Sequence, residues 1–555
     1  QYSNREIIPY VITTLNAIMA FLLALLIGWS NPLDLQSVVP QEGQGLNPLL
    51  QNPAMAIHPP ALYLGFIGFS VPFAFAMGGL IRGKLDNEWV LTTRRWTLMS
   101  WYFLSAGLIL GGQWAYEELG WGGFWAWDPV ENAALMPWLT GTAFLHSVMI
   151  QEKRNMLKIW NVVLIITTFG LTIIGTFLTR SGIINSVHSF TQSEIGPAFL
   201  VYLALVLIAG FALLFKRIQM LESEYKIESV LCRENVFLAQ NILLVGIAFT
   251  VLLGTTFPLL AEAVRGTKLS IQAPFFNTIT APMGYALLIL MGFGMLISWR
   301  RSSLDNLRRN FQNPIIIATL CTIFLVWLLF EKSLQWGVYI IFWSTIFVTS
   351  TILLEIFKAT QIKTRQTGSN ILMGLFYVIS RNRRRYGGLM IHFGVVLMFL
   401  GFAGTFFSLE KDLTLEAGES REIGNYRLEF QSVNEFMSGN ARQRAAIINV
   451  YDSENNFLET LKPAKSFYPT QPQPLTEVAI RRTFLEDLYL IFSSENAEER
   501  NSITIKVHIN PLVGWAWAAL PIFTIGIGIC LTYRPKSLIS QEIVNRERYL
   551  ASLES

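Results

Sequence analysis

The chain is organised around the stretch Gly120-Trp121-Gly122-Gly123-Phe124-Trp125-Ala126-Trp127-Asp128-Pro129, which joins one apolar segment to the next. This stretch, the tryptophan-rich block, is therefore predicted at a boundary between membrane and water. Four aromatic side chains fall within seven positions, and the glycines between them allow close backbone approach. Aromatic belts at membrane interfaces also use tryptophan freely, which is the ordinary explanation. The density of rings favours a platform for a flat, apolar ligand.

The composition predicts a helical membrane protein with many spans. Of the 555 residues, 52% are hydrophobic and only 14% are charged, and the mean hydropathy is +0.42. Apolar runs of about 20 residues recur, and each can cross a ~30 Å hydrocarbon layer as a helix that satisfies its own backbone. The twelve predicted spans are 7–29, 60–81, 96–113, 131–150, 157–179, 195–215, 236–257, 279–299, 313–331, 334–357, 387–409 and 511–532.

Lysine and arginine orient these spans. They cluster after every second span, at 82–95, 153–158, 216–233, 300–309 and 358–385, with Arg534 and Lys536 after the last. The loops 30–59 and 114–130 carry neither residue. Because basic loops stay on the cytoplasmic side, the tryptophan-rich block is predicted on the outer face. The expected location is the inner membrane of a bacterium, with the mitochondrial inner membrane as the alternative.

One long polar segment, 410–510, is predicted on the same outer side. Its alternating runs, such as Tyr426-Arg-Leu-Glu-Phe430, are typical of β-strands. The fold class is an all-α polytopic membrane protein with a small extracytoplasmic β-rich domain. The predicted parts are a transmembrane core at 1–409 with the platform at 114–131, the β-rich domain at 410–510, a last span at 511–532 and a cytoplasmic tail at 533–555.

The three cysteines restrict the kinds of site that the chain can carry. Cys232, Cys321 and Cys530 are far apart and form no CxxC pair. The sequence therefore shows no disulfide framework, thiol relay or zinc site. Nothing in it indicates nucleic-acid binding.

Two of the five histidines are predicted at the same depth in the membrane. His146 lies ~22 Å below the outer surface, at ~1.5 Å per residue along its span. His392 lies near the inner end of a span running outward, which gives the same depth in a ~30 Å core. A lone membrane histidine ordinarily bonds a neighbouring helix, but a depth-matched pair is a functional candidate. Two neutral imidazoles are natural axial ligands for a b-type haem.

His58 and His188 are predicted on the outer side with the tryptophan-rich block. His58 opens His58-Pro59-Pro60, where proline fixes the start of the next helix. A single surface histidine is usually solvated, but two that flank an aromatic platform form a candidate axial pair for a second haem. His508 ends a strand-like run and is interpreted as structural.

The run Trp121-Gly-Gly-Phe-Trp-Ala-Trp-Asp128 resembles the WWD signature of the haem-handling family, which comprises CcmF-type haem lyases, their nitrite-reductase counterparts and CcsA-type proteins. The surroundings of the histidines, such as Phe177-Leu-Thr-Arg180-Ser-Gly, are similar to those in CcmF-type lyases. Phe124 departs from the signature, which has a further tryptophan there. The resemblance covers nearly the whole chain. Because the family carries further helices before this point, a fragment or processed product is expected.

The resemblance implies a haem lyase that joins the haem vinyl groups to the cysteines of a CxxCH segment in apocytochrome c. His58 and His188 would ligate the iron of the outer haem, while His146 and His392 would hold a buried haem b that relays electrons. The residues implied to form the haem platform are Trp121, Gly122, Gly123, Phe124, Trp125, Trp127 and Asp128. The implied partners are a haem chaperone, apocytochrome c, apocytochrome-binding lyase subunits and the lipid membrane, with a quinol as a candidate electron donor.

Two charged positions beside the platform have alternative interpretations. Arg180 is either the partner of a haem propionate or a cation that anchors a helix end at the interface. Asp128 and Glu131 are interpreted as caps of the following helix rather than as an acid or base.

Other classes of protein account for fewer of these features. A haem exporter needs the platform but has less reason to keep a buried histidine pair, and an electron conduit needs the pair but not an open platform. A transporter unrelated to haem predicts charged residues on broken helices at mid-membrane, which the sequence lacks. General cytochrome c maturation and a nitrite-reductase-specific lyase both remain open.

Overall fold

A computed structural model describes residues 5–35, 37–39, 45–181, 186, 195–223, 225–267, 269–328, 336–469, 471, 473–495 and 502–532. His188, Arg534, Lys536 and the tail predicted at 533–555 lie outside the described residues.

The main body of the described chain is a helical bundle. Within the described residues, eleven helical segments are long and apolar enough to cross a membrane. The polytopic helical fold is thus confirmed. The helices are α1 Ile8–Gly28, α2 His58–Gly68, α3 Ser70–Arg82, α4 Glu88–Glu118, α5 Pro129–Arg154, α6 Lys158–Arg180, α7 Gly196–Lys216, α8 Arg233–Arg265, α9 Ala273–Leu296, α10 Leu304–Leu328, α11 Trp336–Thr367, α12 Ile371–Arg381, α13 Arg383–Ala403 and α14 Val513–Leu531.

Eleven of the twelve predicted spans coincide with these segments, and the remaining one does not meet the same criterion. The segment 96–113 lies in α4, a helix of 31 residues that is not apolar enough to qualify as a span. Yet α4 runs antiparallel to α2, since Gly107 packs on Leu62 while Ser100 packs on Gly68. Many of its tryptophan, serine and glycine residues, such as Trp101, Ser105 and Gly107, are buried in the bundle, and these residue types lower its hydropathy.

Two further features differ from the predicted spans. The second span is broken into α2 and α3, because Pro72 has no N–H to donate to the carbonyl one turn before it. The amphipathic helix α12 was not predicted. Its apolar Ile371, Leu372 and Phe376 side chains are exposed, as is typical of a helix that lies along a membrane interface.

Helices α13 and α14 pack with their backbones close together. Glycines at 387, 394 and 401, seven residues apart, place the same face of α13 against Cys530, Phe523 and Ala516 of α14. Small residues at such spacing let membrane helices approach closely. This packing fixes the position of α13, which carries His392.

The segment after α13 folds into a β-sandwich. One sheet has the order β1-β10-β9-β8, and the other has β2-β3-β4-β6-β7 with β5 paired to β4. Alternating residues of both sheets, such as Leu428, Ile448, Leu490 and Ile505, form its core. The strands are β1 Leu409–Glu416, β2 Ser420–Ile423, β3 Tyr426–Ser438, β4 Ala441–Asp452, β5 Phe457–Leu461, β6 Ala464–Phe467, β7 Leu475–Glu477, β8 Ala479–Arg482, β9 Glu486–Glu495 and β10 Ser502–Pro511.

The sandwich rests directly on the end of the bundle that carries the tryptophan-rich block. Tyr116 at the end of α4, Tyr489 of β9 and Val513 at the start of α14 form one small buried cluster, against which Phe124 packs. The β-sandwich, the end of α4 and the tryptophan-rich block therefore pack around one shared buried cluster.

Candidate functional site

The tryptophan-rich block leaves α4 through left-handed turns and enters α5. Gly120 and Gly122 have φ of +63° and +75°, and Trp127 also has a positive φ of 58°. For a non-glycine residue this conformation is disfavoured. The Trp127 ring is held by stacking on Phe276 at 4.8 Å and by a 2.8 Å hydrogen bond from Nε1 to Asn277 Oδ1. Helix α9 thus stabilises the strained end of the block.

The aromatic rings of the block do not all point the same way. Trp125 meets Trp127 edge to face at 5.9 Å. Phe124 is instead turned inward, 5.7 Å from Trp517 and 5.8 Å from Phe402. Trp121 and Gly123 are partly exposed. The block therefore has an anchored, inward side at Phe124 and a more accessible side of tryptophans.

Asp128 and Glu131 form a capping box at the start of α5. Asp128 Oδ1 accepts from the Val130 amide at 2.9 Å, and Glu131 Oε2 accepts from the amides of Asp128 and Ala126 at 3.0 Å. Ser186 donates its hydroxyl to Asp128 at 2.6 Å. The interpretation of both carboxylates as helix caps is confirmed.

His58 lies beside the block at the first position of α2. Its Nδ1–H donates to the Gly107 carbonyl at 2.8 Å, since a carbonyl can only accept. A side chain at Gly111 would lie 2.6 Å from the His58 ring, and one at Gly112 would lie 3.2 Å from the Phe124 carbonyl. Two consecutive residues of α4 thus contact His58 and the block, respectively. Its predicted partner, His188, lies outside the described residues, and Arg180 is exposed at the end of α6.

His146 and His392 meet inside the bundle. Their ring centroids are 6.0 Å apart, with the ring planes at 71°. Each Nδ1–H donates to the carbonyl one turn earlier, that of Thr142 at 2.8 Å and that of Gly388 at 2.6 Å. This fixes the tautomer and leaves Nε2 of both rings as the nitrogen that can bind a metal.

Helices α5 and α8 set the position of His146. Asn132 Nδ2 donates to Thr255 Oγ1 at one end of this helix pair, and Arg154 meets Glu234 at 3.1 Å at the other end. The two helices are therefore antiparallel along their full contact. Phe237 of α8 packs edge to face on the His146 ring at 5.5 Å.

The donor set fits an axially ligated haem iron. Two imidazoles on one metal, each with a bond of ~2.0 Å, have ring centres about 6 Å apart, which agrees with the observed 6.0 Å. Both histidines are of intermediate exposure as whole residues.

Sequence reasoning missed the polar face of β9 and β10 that meets the block. Asn510 Nδ2 donates to the Gly122 carbonyl at 2.8 Å and to the Tyr116 hydroxyl at 3.0 Å. His508, interpreted as structural, is buried beneath Gly122. The available signal was the alternation of these two polar residues with Val507 and Ile509 at the end of β10.

Burial perturbs both ionisable groups of this face. The pKa of Asp487, whose Oδ2 accepts from Tyr116 at 3.4 Å, is raised to about 6 by burial, against the lowering effect of Arg482. Burial lowers the pKa of His508, although Glu410 at 3.8 Å favours the charged form. Both groups are therefore biased toward neutrality, which is the less costly form in a buried contact.

Two family models match the sequence. Residues 3–184 match the family described as "Cytochrome C assembly protein", and residues 406–511 match the "CcmF C-terminal beta-sandwich". Fold and sequence together define a multi-pass membrane protein of the cytochrome c assembly class.

Individual relatives show which family within this class the chain is similar to. The chain is 36% identical over 514 residues to "Cytochrome c-type biogenesis protein ccl1" of Rhodobacter capsulatus, with 91% of this chain and 75% of that protein aligned. It is 35% identical over 537 residues to "Cytochrome c-type biogenesis protein CcmF" of Escherichia coli, with 95% and 79% aligned. A solved structure, "Cytochrome c Heme Lyase CcmF", superposes with a TM-score of 0.76 at 31% identity, covering 94% of this chain and 78% of that one.

The chain belongs to the CcmF family and has a role in cytochrome c maturation. The resemblance noted from the tryptophan-rich block is thereby confirmed. The roles of its individual residues remain predictions.

Proposed function

We propose that this protein is a cytochrome c haem lyase that holds haem at the outer membrane surface and attaches its vinyl groups to the cysteines of a CxxCH segment. The observation that carries the proposal is the pairing of two sites on one scaffold, namely the tryptophan-rich block with His58 beside it and the buried pair of His146 and His392. The name of the solved relative, a haem lyase, supports the same reaction.

In the proposed reaction the outer haem is the substrate. The partly exposed tryptophans hold one face of the porphyrin, and His58 and His188 ligate its iron until the histidine of CxxCH replaces one of them. Each thiol then adds across a vinyl group, so that a C–S bond forms and the thiol proton ends on the neighbouring carbon. Holding thiol and vinyl in a near-attack geometry is the main source of rate acceleration available to the protein.

The buried pair is proposed to bind a haem b. When bound, this group supplies electrons to the outer haem. The protein fixes both imidazoles through the carbonyls of Thr142 and Gly388, and Phe237 limits the rotation of the His146 ring. These contacts hold Nε2 ready for ligation without a change of tautomer.

The proposed setting is the inner membrane of a bacterium, with the tryptophan-rich block facing the periplasm. The reaction then requires a chaperone that delivers haem, apocytochrome c as acceptor, and subunits that present the unfolded CxxCH segment. A membrane quinol is a suitable electron donor, because His146 and His392 are predicted to lie inside the bilayer, as a quinol does.

The test of the buried site is the optical and pyridine-haem spectrum of the purified protein beside its His146→Ala and His392→Ala variants. We expect stoichiometric low-spin b haem in the wild type and loss of at least about tenfold in either variant, because one axial ligand is removed. His508→Ala is the matched control, since that histidine lies in the β-sandwich and should leave the buried haem intact. Equal haem content in all four proteins would refute the assignment.

A further inference from the structure

The β-sandwich contacts the tryptophan-rich block through two neighbouring cross-strand pairs. His508 pairs with Tyr489, and Asn510 pairs with Asp487, across β10 and β9. Since alternate residues of a strand share a face, these four side chains lie on one side of the sheet. That side is the one turned toward α4 and the block.

The first contact is a chain of hydrogen bonds that ends on the block. Tyr116 at the end of α4 donates to Asp487 and accepts from Asn510, which also donates to the Gly122 carbonyl at 2.8 Å. Asn510 is only 8% exposed. A buried amide with two donations to defined partners fixes the backbone of Gly122, because losing either bond leaves a polar group unsatisfied.

The second contact is steric. Gly122 has a φ of +75°, and a Cβ at this position would lie 2.5 Å from Nε2 of His508. The imidazole, 7% exposed, therefore packs flat against the α-carbon of Gly122. No side chain other than hydrogen fits between the sheet and the block.

We infer that Asn510 and His508 are positioning residues for haem attachment. They fix the position and orientation of the tryptophan-rich block so that Trp121 and Trp125 present haem to its acceptor. This inference rests on the proposed lyase function. Gly122 directly follows Trp121, so any movement of the Gly122 backbone is transmitted to the ring that precedes it. The β-sandwich then serves as the support of the haem platform.

The experiment compares Gly122→Ala, His508→Ala and the double variant in cells that express the full chain with the rest of a cytochrome c maturation system. Covalent haem on a reporter cytochrome c is measured by haem stain after denaturing electrophoresis. We expect Gly122→Ala to lower attachment by about 10- to 100-fold, the effect of a misplacement of ~1 Å. The double variant should regain part of this loss, because removing the imidazole makes room for the methyl group.

A second pair of variants tests the hydrogen bond without adding volume. Asn510→Asp keeps the shape of the side chain but cannot donate to the Gly122 carbonyl, so attachment should fall. Asn449→Ala is the matched control, since Asn449 bonds Thr460 between β4 and β5 on the other sheet and should leave attachment unchanged. Buried haem content, measured in the same membranes, should stay at the wild-type level in every variant and shows that the bundle is folded.

The outcomes separate the two proposals. A wild-type chain that attaches no haem to the reporter removes the lyase function and this inference with it. An active wild type with an equally active Gly122→Ala overturns the positioning role alone. If Gly122→Ala loses its buried haem, the positioning role is judged from Asn510→Asp instead. Full haem attachment by Asn510→Asp contradicts the inference.

Discussion

At the scale of single residues, the protein controls the chemistry of its histidines through main-chain carbonyls. His58, His146 and His392 each donate Nδ1–H to a carbonyl. Nε2 is therefore the nitrogen that could bind a metal in all three, and no acidic side chain is needed to select it. In a membrane this matters, because a buried carboxylate would add a charge that costs free energy to hold away from water.

A pH dependence of stability follows from Asp487. Its pKa of about 6 in the folded protein exceeds the usual value of ~3.9 in an unfolded chain. Between pH ~4 and ~6 the folded state binds more protons, so this group's stabilising contribution is lost as pH rises through that window. Asp487→Asn can still accept the hydrogen bond from Tyr116 and should not lose stability as pH rises. Above pH 6.5 its free energy of unfolding should exceed that of the wild type by at most about 3 kcal/mol.

The measurement is the thermal unfolding of both detergent-solubilised proteins from pH 4 to 7.5. The opposite trend of His508, whose lowered pKa reduces stability as pH falls below ~6.5, is common to both proteins and cancels in the difference. A difference in melting temperature that does not change with pH would show that Asp487 does not titrate as described.

At the scale of elements, the start of α5 connects the tryptophan-rich block to the helix that carries His146. The capping box ends the block at Asp128 and begins the helix at Pro129. Trp127 immediately before it is held on α9 through Phe276 and Asn277. The block is thus fixed by α9 at Trp127 and by β10 at Gly122, and Trp125 lies between these two contacts.

Substitution of Asp128 distinguishes a cap from an acid or base. Asn and Asp are similarly effective N-caps, whereas Ala costs about 0.5–2 kcal/mol. We expect Asp128→Asn to retain most haem attachment and Asp128→Ala to lose stability and attachment together, as measured by thermal unfolding and haem stain. Loss of attachment in Asp128→Asn at unchanged stability would instead indicate that its carboxylate takes part in the reaction.

At the scale of the whole molecule, the buried histidine pair depends on helices far apart in sequence. Arg384 of α13 contacts Glu152 of α5 at 2.6 Å, below the pair. His146 precedes Glu152 by six residues and His392 follows Arg384 by eight. The ion pair therefore joins the two helices that carry these histidines, while the glycines of α13 fix α13 against α14.

This arrangement predicts coupled effects of Glu152→Gln and Arg384→Ala. Each single change should weaken retention of the buried haem, because the partner charge is left partly buried and unpaired. The double variant should lose less haem-retention free energy than the two single variants lose together, with a coupling free energy of about 0.5–3 kcal/mol. Haem retention during denaturant titration measures this, and Glu435→Gln, in an exposed ion pair of the sandwich, is the control. Strictly additive losses would mean that the pair does not join the helices.

The sequence by itself determined the class of fold. Apolar length predicted the helices, period-two alternation predicted the sandwich strands, and the Asp-Pro start of α5 predicted its cap, because these patterns are local. It also predicted that His146 and His392 lie at one depth, since helical rise is fixed. It failed for α12, which is too short to read as a span.

Only the tertiary structure decided what surrounds the candidate sites. The 6.0 Å approach of the two rings depends on the packing of α5, α8 and α13, and the inward turn of Phe124 depends on Trp517 and Phe402. The support of Gly122 by His508 and Asn510 joins residues almost 400 positions apart. Such contacts arise from the docking of whole elements, and no local pattern of residues specifies them.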